Sequence, residues 1–498
     1  TWIVPTFNYQ FRMNKPPLSY WLVGMAYQLL GVHVFAQRLV IALFALATLL
    51  VMWQLARHIY GGRLAAWVAV AATALTPRFY FMSRRAVIEI ILLFCLAAAF
   101  YFFLRFYEDR RKRWLLFFYL SIGLGFLDKG PVALALAGLV IGAFLLVRRD
   151  FKCLLQMQLP LGAAVFLALV LPWYLAIYSF FGPDFIRRLL LTENVLRYTT
   201  VSFGPDRGPF YYLPIFLLDF LPWSVLMIAG FWPLRRQWPR LEDHPRARQL
   251  FLLLWLAAPV LFFSLSKNKQ EYYIMPAYLA GALLLGGLPR LLAARAEFIR
   301  AFRWVLGLVM VVSGLVAVFA AFLLHTILGW TAFAIGLALA MLAIQALGLR
   351  QLGRPRWEMA LGVPFVNLYL VGLLATFLVI PAIERFRPVP EMARIILSRA
   401  GVHDQVGYFV QATPSLCFYT ERPILELFGK EELLFHCRRP FRFFCLLRRE
   451  HLPLLDQAGI PYTILAERPL METRLKNILN FQTDARRNTF CLVVTQPR

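Results

Sequence analysis

Charge is scarce in this chain: only 16% of its 498 residues are Asp, Glu, Lys or Arg, whereas soluble globular domains carry about 25%. That deficit excludes an ordinary cytosolic enzyme. Disorder is excluded as well, because 60% of the residues are apolar and the mean hydropathy is +0.65, and a disordered chain needs low hydrophobicity to avoid collapse. Cysteine is sparse, six residues with no CxxC pair, which argues against a disulfide scaffold or a zinc module. The seven histidines form no ligand pattern, and no P-loop, GxGxxG, HExxH or nucleophile elbow is present. ATP-driven transport and metalloprotease chemistry are therefore disfavoured. Acidic residues are outnumbered, 26 against 52 basic, for a net charge of +26. Nucleic-acid binding does not explain this excess, because the basic residues flank apolar runs of about twenty residues. A polytopic membrane protein with basic loops does explain it.

A spanning helix needs about 20 mostly apolar residues. On that measure about twelve runs qualify, near 34–57, 63–81, 86–106, 113–128, 130–147, 158–180, 210–233, 249–266, 273–289, 303–325, 327–349 and 358–380. The less apolar stretch 16–31, which follows a double proline, reads as a helix lying at the interface, with a short extra span as the alternative. Alternate loops carry the basic residues: Arg57 and Arg63; Arg105, Arg110, Arg111, Lys112 and Arg113; Arg148, Arg149 and Lys152; Arg235, Arg236, Arg240, Arg246 and Arg248; Arg290, Arg295, Arg300 and Arg303; Arg350, Arg354 and Arg356. The positive-inside bias assigns these loops to the cytoplasm, where they set topology. Residues 1–33, the turns near 82–85 and 129, the segments 181–209 and 266–272, and everything after 381 then face the other side. The sequence opens on Thr1 rather than Met and reads as lacking its natural N-terminus. A cytoplasmic start would add one helix, for thirteen spans in the intact protein.

After Ile380 and Pro381 the composition changes. An amphipathic PEMARIILSRA is followed by short apolar and β-branched runs, DQVGYFV, SLCFYT, RPILEL, FRFFCLLRRE, PYTILAE and TFCLVVTQ. The reading is an α-helical polytopic membrane domain over 1–380 and a small extramembrane α/β domain over 381–498. Cys417, Cys437, Cys445 and Cys491 fall in that domain; buried free thiols are the first reading and one or two disulfides the alternative.

Charges on the non-cytoplasmic face run against the loop bias and call for a reason. Lys15, preceded by Arg12 and Asn14, sits at a rigid corner made by Pro16 and Pro17, where an ammonium suits a phosphate; a lysine snorkelling to lipid is the alternative. Glu89 follows Ser83-Arg84-Arg85 at the start of an apolar run, where a carboxylate is expensive; it serves proton transfer or pairs with Arg85 four residues away. Asp128 and Lys129 occupy a very short turn and read as helix terminators. In the long outer loop, Glu193, Asn194 and Arg197 share one helical face, ahead of Gly204–Pro209. Lys267 and Lys269 lie beside Tyr272 and Tyr273, either as an interfacial anchor or as a phosphate grip. Together Lys15, Arg197, Lys267 and Lys269 make a cationic zone next to lipid, suited to an anionic lipid-linked substrate.

The succession WIVP, NKPPLSYW, QRLV, SRRAVIEIILLF, FLDKGPVALAL, LPWYLAIY, ENVLRY, GPFYYLP with LPWS, and FFSLSKNKQEYYIMPAYLA resembles the GT-C membrane glycosyltransferases. Within them it is similar to the branch that contains bacterial aminoarabinose lipid A transferase and the protein O-mannosyltransferase-like enzymes. The resemblance implies transfer of a sugar from a polyprenyl-phosphate donor to a lipid or glycan acceptor at the outer face of the bacterial inner membrane, by a single inverting displacement. It matches Lys15 to the family's donor-phosphate lysine, Arg197 to the arginine after the acidic-polar pair and Tyr273 to the tyrosine before Ile-X-Pro. Glu89 stands where the family often has Asp and is the catalytic candidate; Asn14, Arg85, Glu193 and Asn194 are candidate substrate contacts. Three departures stand out: the family's catalytic Asp-Glu motif would precede Thr1, Asn14 replaces a Glu, and Asp128 replaces the Thr of TKG. No cofactor is required by the implied reaction, and a divalent metal, though compatible with it, is not indicated. The implied partners are the lipid-linked donor, the acceptor and membrane lipids, with no nucleic acid. A polyprenyl-phosphate flippase and a non-catalytic lipid-carrier-binding protein are the competing functions.

Overall fold

The computed structural model describes residues 2–12, 14–200, 207–293, 296–354, 357–384, 386–470 and 489–495. Arg295, Arg356 and the Gly204–Asp206 part of the outer segment lie outside these described residues. Two compact units emerge, one of residues 1–5, 11–315 and 343–369, the other of residues 6–10, 316–342 and 370–498.

A two-stranded hairpin, β1 (Thr6–Phe7) and β2 (Gln10–Phe11), precedes the helices α1 (Leu18–Leu30), α2 (Val34–Tyr60), α3 (Arg63–Leu75), α4 (Pro77–Met82), α5 (Glu89–Asp109), α6 (Arg113–Lys129), α7 (Val132–Arg148), α8 (Phe151–Gln156) and α9 (Leu159–Arg187). A π-helix, Arg188–Leu196, continues α9 into α10 (Arg197–Thr199), so the stretch expected as a long outer loop is mostly helical. Then come α11 (Tyr212–Asp219), α12 (Trp223–Gln237), α13 (Asp243–Leu265), a 3-10 turn at Glu271–Ile274, α14 (Met275–Ala293), α15 (Ala296–Leu328), α16 (Thr331–Leu352) and α17 (Gly362–Leu374).

Every apolar run read from the sequence is helical. Among the described residues eight helices are long and apolar enough to cross a membrane, or nine if Pro209–Asp219 and Trp223–Gln237, bent by 101°, form one span. The chain is therefore a multi-pass membrane protein. The remaining runs give shorter helices: α3 has 13 residues, about 20 Å at 1.5 Å per residue, because Thr76 and Pro77 break the run at 63–81. The stretch at 16–31 folds as α1.

Small residues let the inner helices approach closely. A Cβ on Gly286 of α14 would stand 2.6 Å from the Ala65 carbonyl oxygen of α3. Ala65, Ala66, Ala69 and Ala72 line the facing side of α3, all buried. Such contacts replace the hydrophobic drive that lipid removes. Several basic loop residues do more than set topology. Arg148 binds Asp243 through two bonds of 2.7 and 2.6 Å, Arg248 binds Glu108 at 2.7 and 2.8 Å, and Arg110 reaches Asp150 at 3.0 Å. Bidentate pairs of this kind fix geometry as well as charge.

In the second unit, α18 (Ile380–Glu384) and α19 (Val389–Arg399) lead into β3 (Gln405–Phe409), α20 (Ser415–Thr420), β4 (Ile424–Leu427), α21 (Lys430–Cys437), β5 (Phe443–Arg448), α22 (Leu452–Gln457), β6 (Tyr462–Pro469) and β7 (Thr489–Thr495). The sheet order is β4-β3-β5-β7-β6, parallel through β4, β3 and β5 and antiparallel at β7 and β6. Side chains alternate along β5: Phe444 and Leu446 pack with Met392 and Ile396 on one face, while Phe443, Cys445 and Leu447 pack with Leu433 and Leu455 on the other. Burial on both faces explains the nearly continuous apolar run of that strand. All six cysteines are unpaired.

Candidate functional site

A cavity of about 330 Å³ opens in the first unit. Lys15 lines it from the segment before α1, Lys129 from the end of α6, and Glu193, Asn194 and Arg197 from the π-helix and α10. Val132, Ala135, Val195, Phe262 and Phe263 supply an apolar wall, and Ser266, Asn268 and Tyr273 close it from the 266–273 strap. A cationic end beside an apolar wall fits an amphiphile with an anionic head.

Local geometry explains how the side chains arrive there. Gly130 adopts φ +77 and passes 3.5 Å, measured from the Cβ it lacks, from the Asn194 amide. That turn ends α6 and presents Lys129. The Asn194 amide nitrogen in turn donates to the Leu189 carbonyl at 2.7 Å, inside the π-helix, a rare conformation often met at functional sites. Arg197 pairs with Glu193 at 3.2 Å, four residues apart as expected. The strap holds the end of that helix: the Asn268 amide donates to the carbonyls of Arg197 and Thr200, both at 2.7 Å, and the Lys267 backbone N–H donates to the Tyr198 carbonyl at 2.8 Å.

Three cations thus meet at the cavity, and two carboxylates temper them. Glu89 Oε1 lies 3.3 Å from Lys129 Nζ, so its partner is Lys129, not the expected Arg85. Arg85 is exposed and, like Asn14, lies off the cavity lining; the Asn14 carbonyl accepts from Arg12 Nε at 3.2 Å. The Lys129 ammonium also sits 4.9 Å over the Tyr273 ring, a cation–π contact. Among the described residues Lys15 has no carboxylate within ion-pairing distance. Burial first, then repulsion from Lys129 and Arg197, bring its ammonium down from 10.5 to about 8, against the pull of Glu193 and Glu89.

Lys267 and Lys269 are not brought to this place. The Lys267 side chain is exposed and outside the lining. Lys269 is buried, and its ammonium donates to the Ser266 carbonyl, which folds the strap on itself. The strap's contribution runs through Ser266 and Asn268 instead. Sequence reasoning also missed Lys129, read as a helix terminator; the signal was present, since it breaks the loop bias on the same face as Lys15. Among the described residues no three His, Cys, Asp or Glu side chains group as metal ligands.

Comparison with known proteins agrees with this geometry. Residues 14–175 match the family described as dolichyl-phosphate-mannose-protein mannosyltransferase. The undecaprenyl phosphate-alpha-4-amino-4-deoxy-L-arabinose arabinosyl transferase 1 of Pseudomonas fluorescens is 30% identical over 331 residues, 64% of this chain and 57% of that protein. A transferase of the same description from Edwardsiella ictaluri is 30% identical over 57% of this chain and 51% of its own length. The solved structure of ArnT from Cupriavidus metallidurans bound to undecaprenyl phosphate superposes with a TM-score of 0.77 at 21% identity, covering 99% of this chain and 90% of that one. The chain is a GT-C, aminoarabinose-transferase-like membrane protein. It spans about half the length of the curated relatives it matches, 57% and 51% for the two transferases above. The relatives are named for transfer from undecaprenyl phosphate, and the GT-C fold extends over both units of this chain.

Proposed function

We propose that the chain binds a polyprenyl-phosphate sugar in the Lys15–Lys129–Arg197 cavity and serves its transfer, with inversion, to a lipid or other acceptor at the periplasmic face of the bacterial inner membrane. The observation that carries this reading is the convergence of Lys15, Lys129 and Arg197 on one cavity with an apolar wall. The names of the relatives and the outward assignment of residues 1–33 and 381–498 support it. As the glycosidic bond breaks, the departing phosphate gains charge, so preplaced cations stabilise the transition state more than the ground state. Glu89, held on Lys129, orients that ammonium and keeps it protonated rather than acting on the acceptor. Arg197 is oriented twice, by Glu193 from within its helix and through its backbone by Asn268. Tyr273 places the face of its ring against Lys129 and closes the head-group end. No nucleotide or redox cofactor enters such a displacement.

The test is a full-length protein reconstituted in lipid with a panel of polyprenyl-phosphate sugars and lipid acceptors, read by mass spectrometry. Sugar transfer that falls about 100-fold or more in Lys15→Ala, with the fold retained, supports the reading. Transfer at the parent rate in that variant refutes it. Movement of a labelled polyprenyl phosphate across the bilayer without covalent transfer would show a flippase, and tight donor binding without either would show a carrier-binding protein.

A further inference from the structure

The five residues Thr6–Gln10 belong to the unit that contains the five-stranded sheet, while Phe11 and the residues that follow it belong to the other. In the turn between β1 and β2, Asn8 and Tyr9 have φ of 51° and 61°, the pair of positive values that a type I′ hairpin turn needs. Asn accepts that conformation readily, whereas a tyrosine there is uncommon. What the turn presents is a clamp. The Asn8 amide pairs with both backbone groups of Ile424, Nδ2 donating to the carbonyl and Oδ1 accepting from the N–H, each at 2.7 Å. Asn8 Nδ2 also reaches Glu426 Oε1 at 3.4 Å, and the Tyr9 hydroxyl donates to the Glu421 carbonyl at 2.5 Å.

Ile424 begins β4, the edge strand of the sheet. An edge strand offers unpaired backbone groups, and a side-chain amide that satisfies one donor and one acceptor of the same residue gives the hairpin a single register. Downstream, Arg12 N–H donates to the Pro5 carbonyl at 2.8 Å, closing the base of the hairpin. Residues 11–14 alone separate it from Lys15, and Pro16 and Pro17 stiffen the chain immediately beyond. Lys15 is thus the point between a clamped hairpin and a rigid double proline.

We propose that Asn8 is a positioning residue: by clamping the hairpin tip to the edge strand of the C-terminal sheet domain, it fixes the chain that leads to Lys15 and so sets the affinity of the cavity for a polyprenyl phosphate. The proposal rests on the donor-site reading above. It gives the sheet domain a task in donor binding although that domain contributes no side chain to the cavity.

The experiment compares Asn8→Gly, Asn8→Ala and Lys15→Ala with the parent, full chain in lipid nanodiscs, by titration with a polyprenyl phosphate from pH 6.5 to 9.5. Asn8→Gly keeps a residue that favours positive φ and removes only the clamp. The expected result is at least tenfold weaker binding in both Asn8 variants, with the pH midpoint of binding shifted. That midpoint reports how Lys15 sits among Lys129, Arg197, Glu193 and Glu89, the charged groups that face it, and a purely stabilising hairpin would not move it. Parent-like affinity and midpoint in Asn8→Gly, while Lys15→Ala loses binding, overturn the positioning role alone. Equal binding by parent and Lys15→Ala overturns the donor-site reading and the positioning role with it.

Discussion

The Lys129 ammonium lies 3.3 Å from the Glu89 carboxylate, and the two side chains are only 11% and 14% exposed. They come from the end of α6 and the start of α5, two helices packed along their length. Breaking one half of a pair this buried leaves an uncompensated charge, which typically costs about 3–5 kcal/mol. Lys129→Met is therefore expected to lose both stability and donor binding. Lys129→Met with Glu89→Gln should recover most of the stability, because neither charge is then orphaned, but none of the binding. Thermal unfolding and donor titration of the singles and the double form the cycle. Recovery of binding in the double would show that Lys129 does not touch the donor.

Lys15 predicts a pH dependence with a definite sign. Its ammonium titrates near 8 in the folded protein, below the ordinary 10.5, and only the charged form attracts a phosphate. Donor binding should be strong below pH 8 and weaken as the pH rises through it; a bound phosphate moves the apparent midpoint upward by linkage. Lys15→Arg stays charged throughout this range and should flatten the profile. Stability runs the other way: the unfolded chain still binds the proton between pH 8 and 10.5 and the folded one does not, so stability rises with pH across that window. A donor-affinity profile for parent and Lys15→Arg tests the first part; identical slopes through pH 8 would sink it.

The 266–273 strap separates backbone support from charge. Asn268 holds two helix-end carbonyls, including that of Arg197, whereas the Lys267 side chain is exposed. Removing a buried donor that satisfies two carbonyls costs about 1–3 kcal/mol, so Asn268→Ala should weaken donor binding about tenfold or more through Arg197. Lys267→Ala should change it less than about twofold, as exposed surface charges usually do. Measured dissociation constants for the two variants in one buffer decide between them. The reverse ranking would restore Lys267 as the phosphate ligand.

The difference between these two neighbours also shows what a sequence can disclose. Lys15, Arg197, Glu193, Asn194 and Tyr273 were legible because a rigid Pro-Pro corner, an i,i+4 spacing and a charge on the wrong face are local signals. The strands of the C-terminal domain were legible because burial on both faces leaves apolar runs such as FFCLL. Partner choice was not legible. Glu89 meets Lys129 rather than Arg85 because α5 and α6 pack side by side, a relation between residues 40 apart. Lys269 folds back on Ser266 because the strap turns tightly, which composition does not reveal. Helix length misled as well: runs such as 63–81 look like spans until Pro77 divides them.

Asp128 offers a stability test that is independent of any substrate. It is 0% exposed, and neither carboxylate oxygen has a hydrogen-bond partner among the described residues. Leaving a buried polar group unsatisfied costs about 1–3 kcal/mol, and two oxygens are affected here. A threonine at this position has an answer that Asp lacks: its hydroxyl can donate to the carbonyl four residues earlier. Thr48, Thr73 and Thr76 all do so in neighbouring helices, at 2.8, 2.8 and 2.7 Å. Asp128→Thr is therefore expected to stabilise the protein by about 1–3 kcal/mol, less a few tenths for the helix propensity of a β-branched residue. Asp128→Asn, which keeps the shape and two polar atoms, should gain much less. Unfolding of the three proteins in the same detergent by denaturant titration checks the ranking. A loss of stability in Asp128→Thr would mean that the carboxylate is compensated by Lys129 across the helix end, and that the substitution breaks a charge pair rather than relieving an orphan.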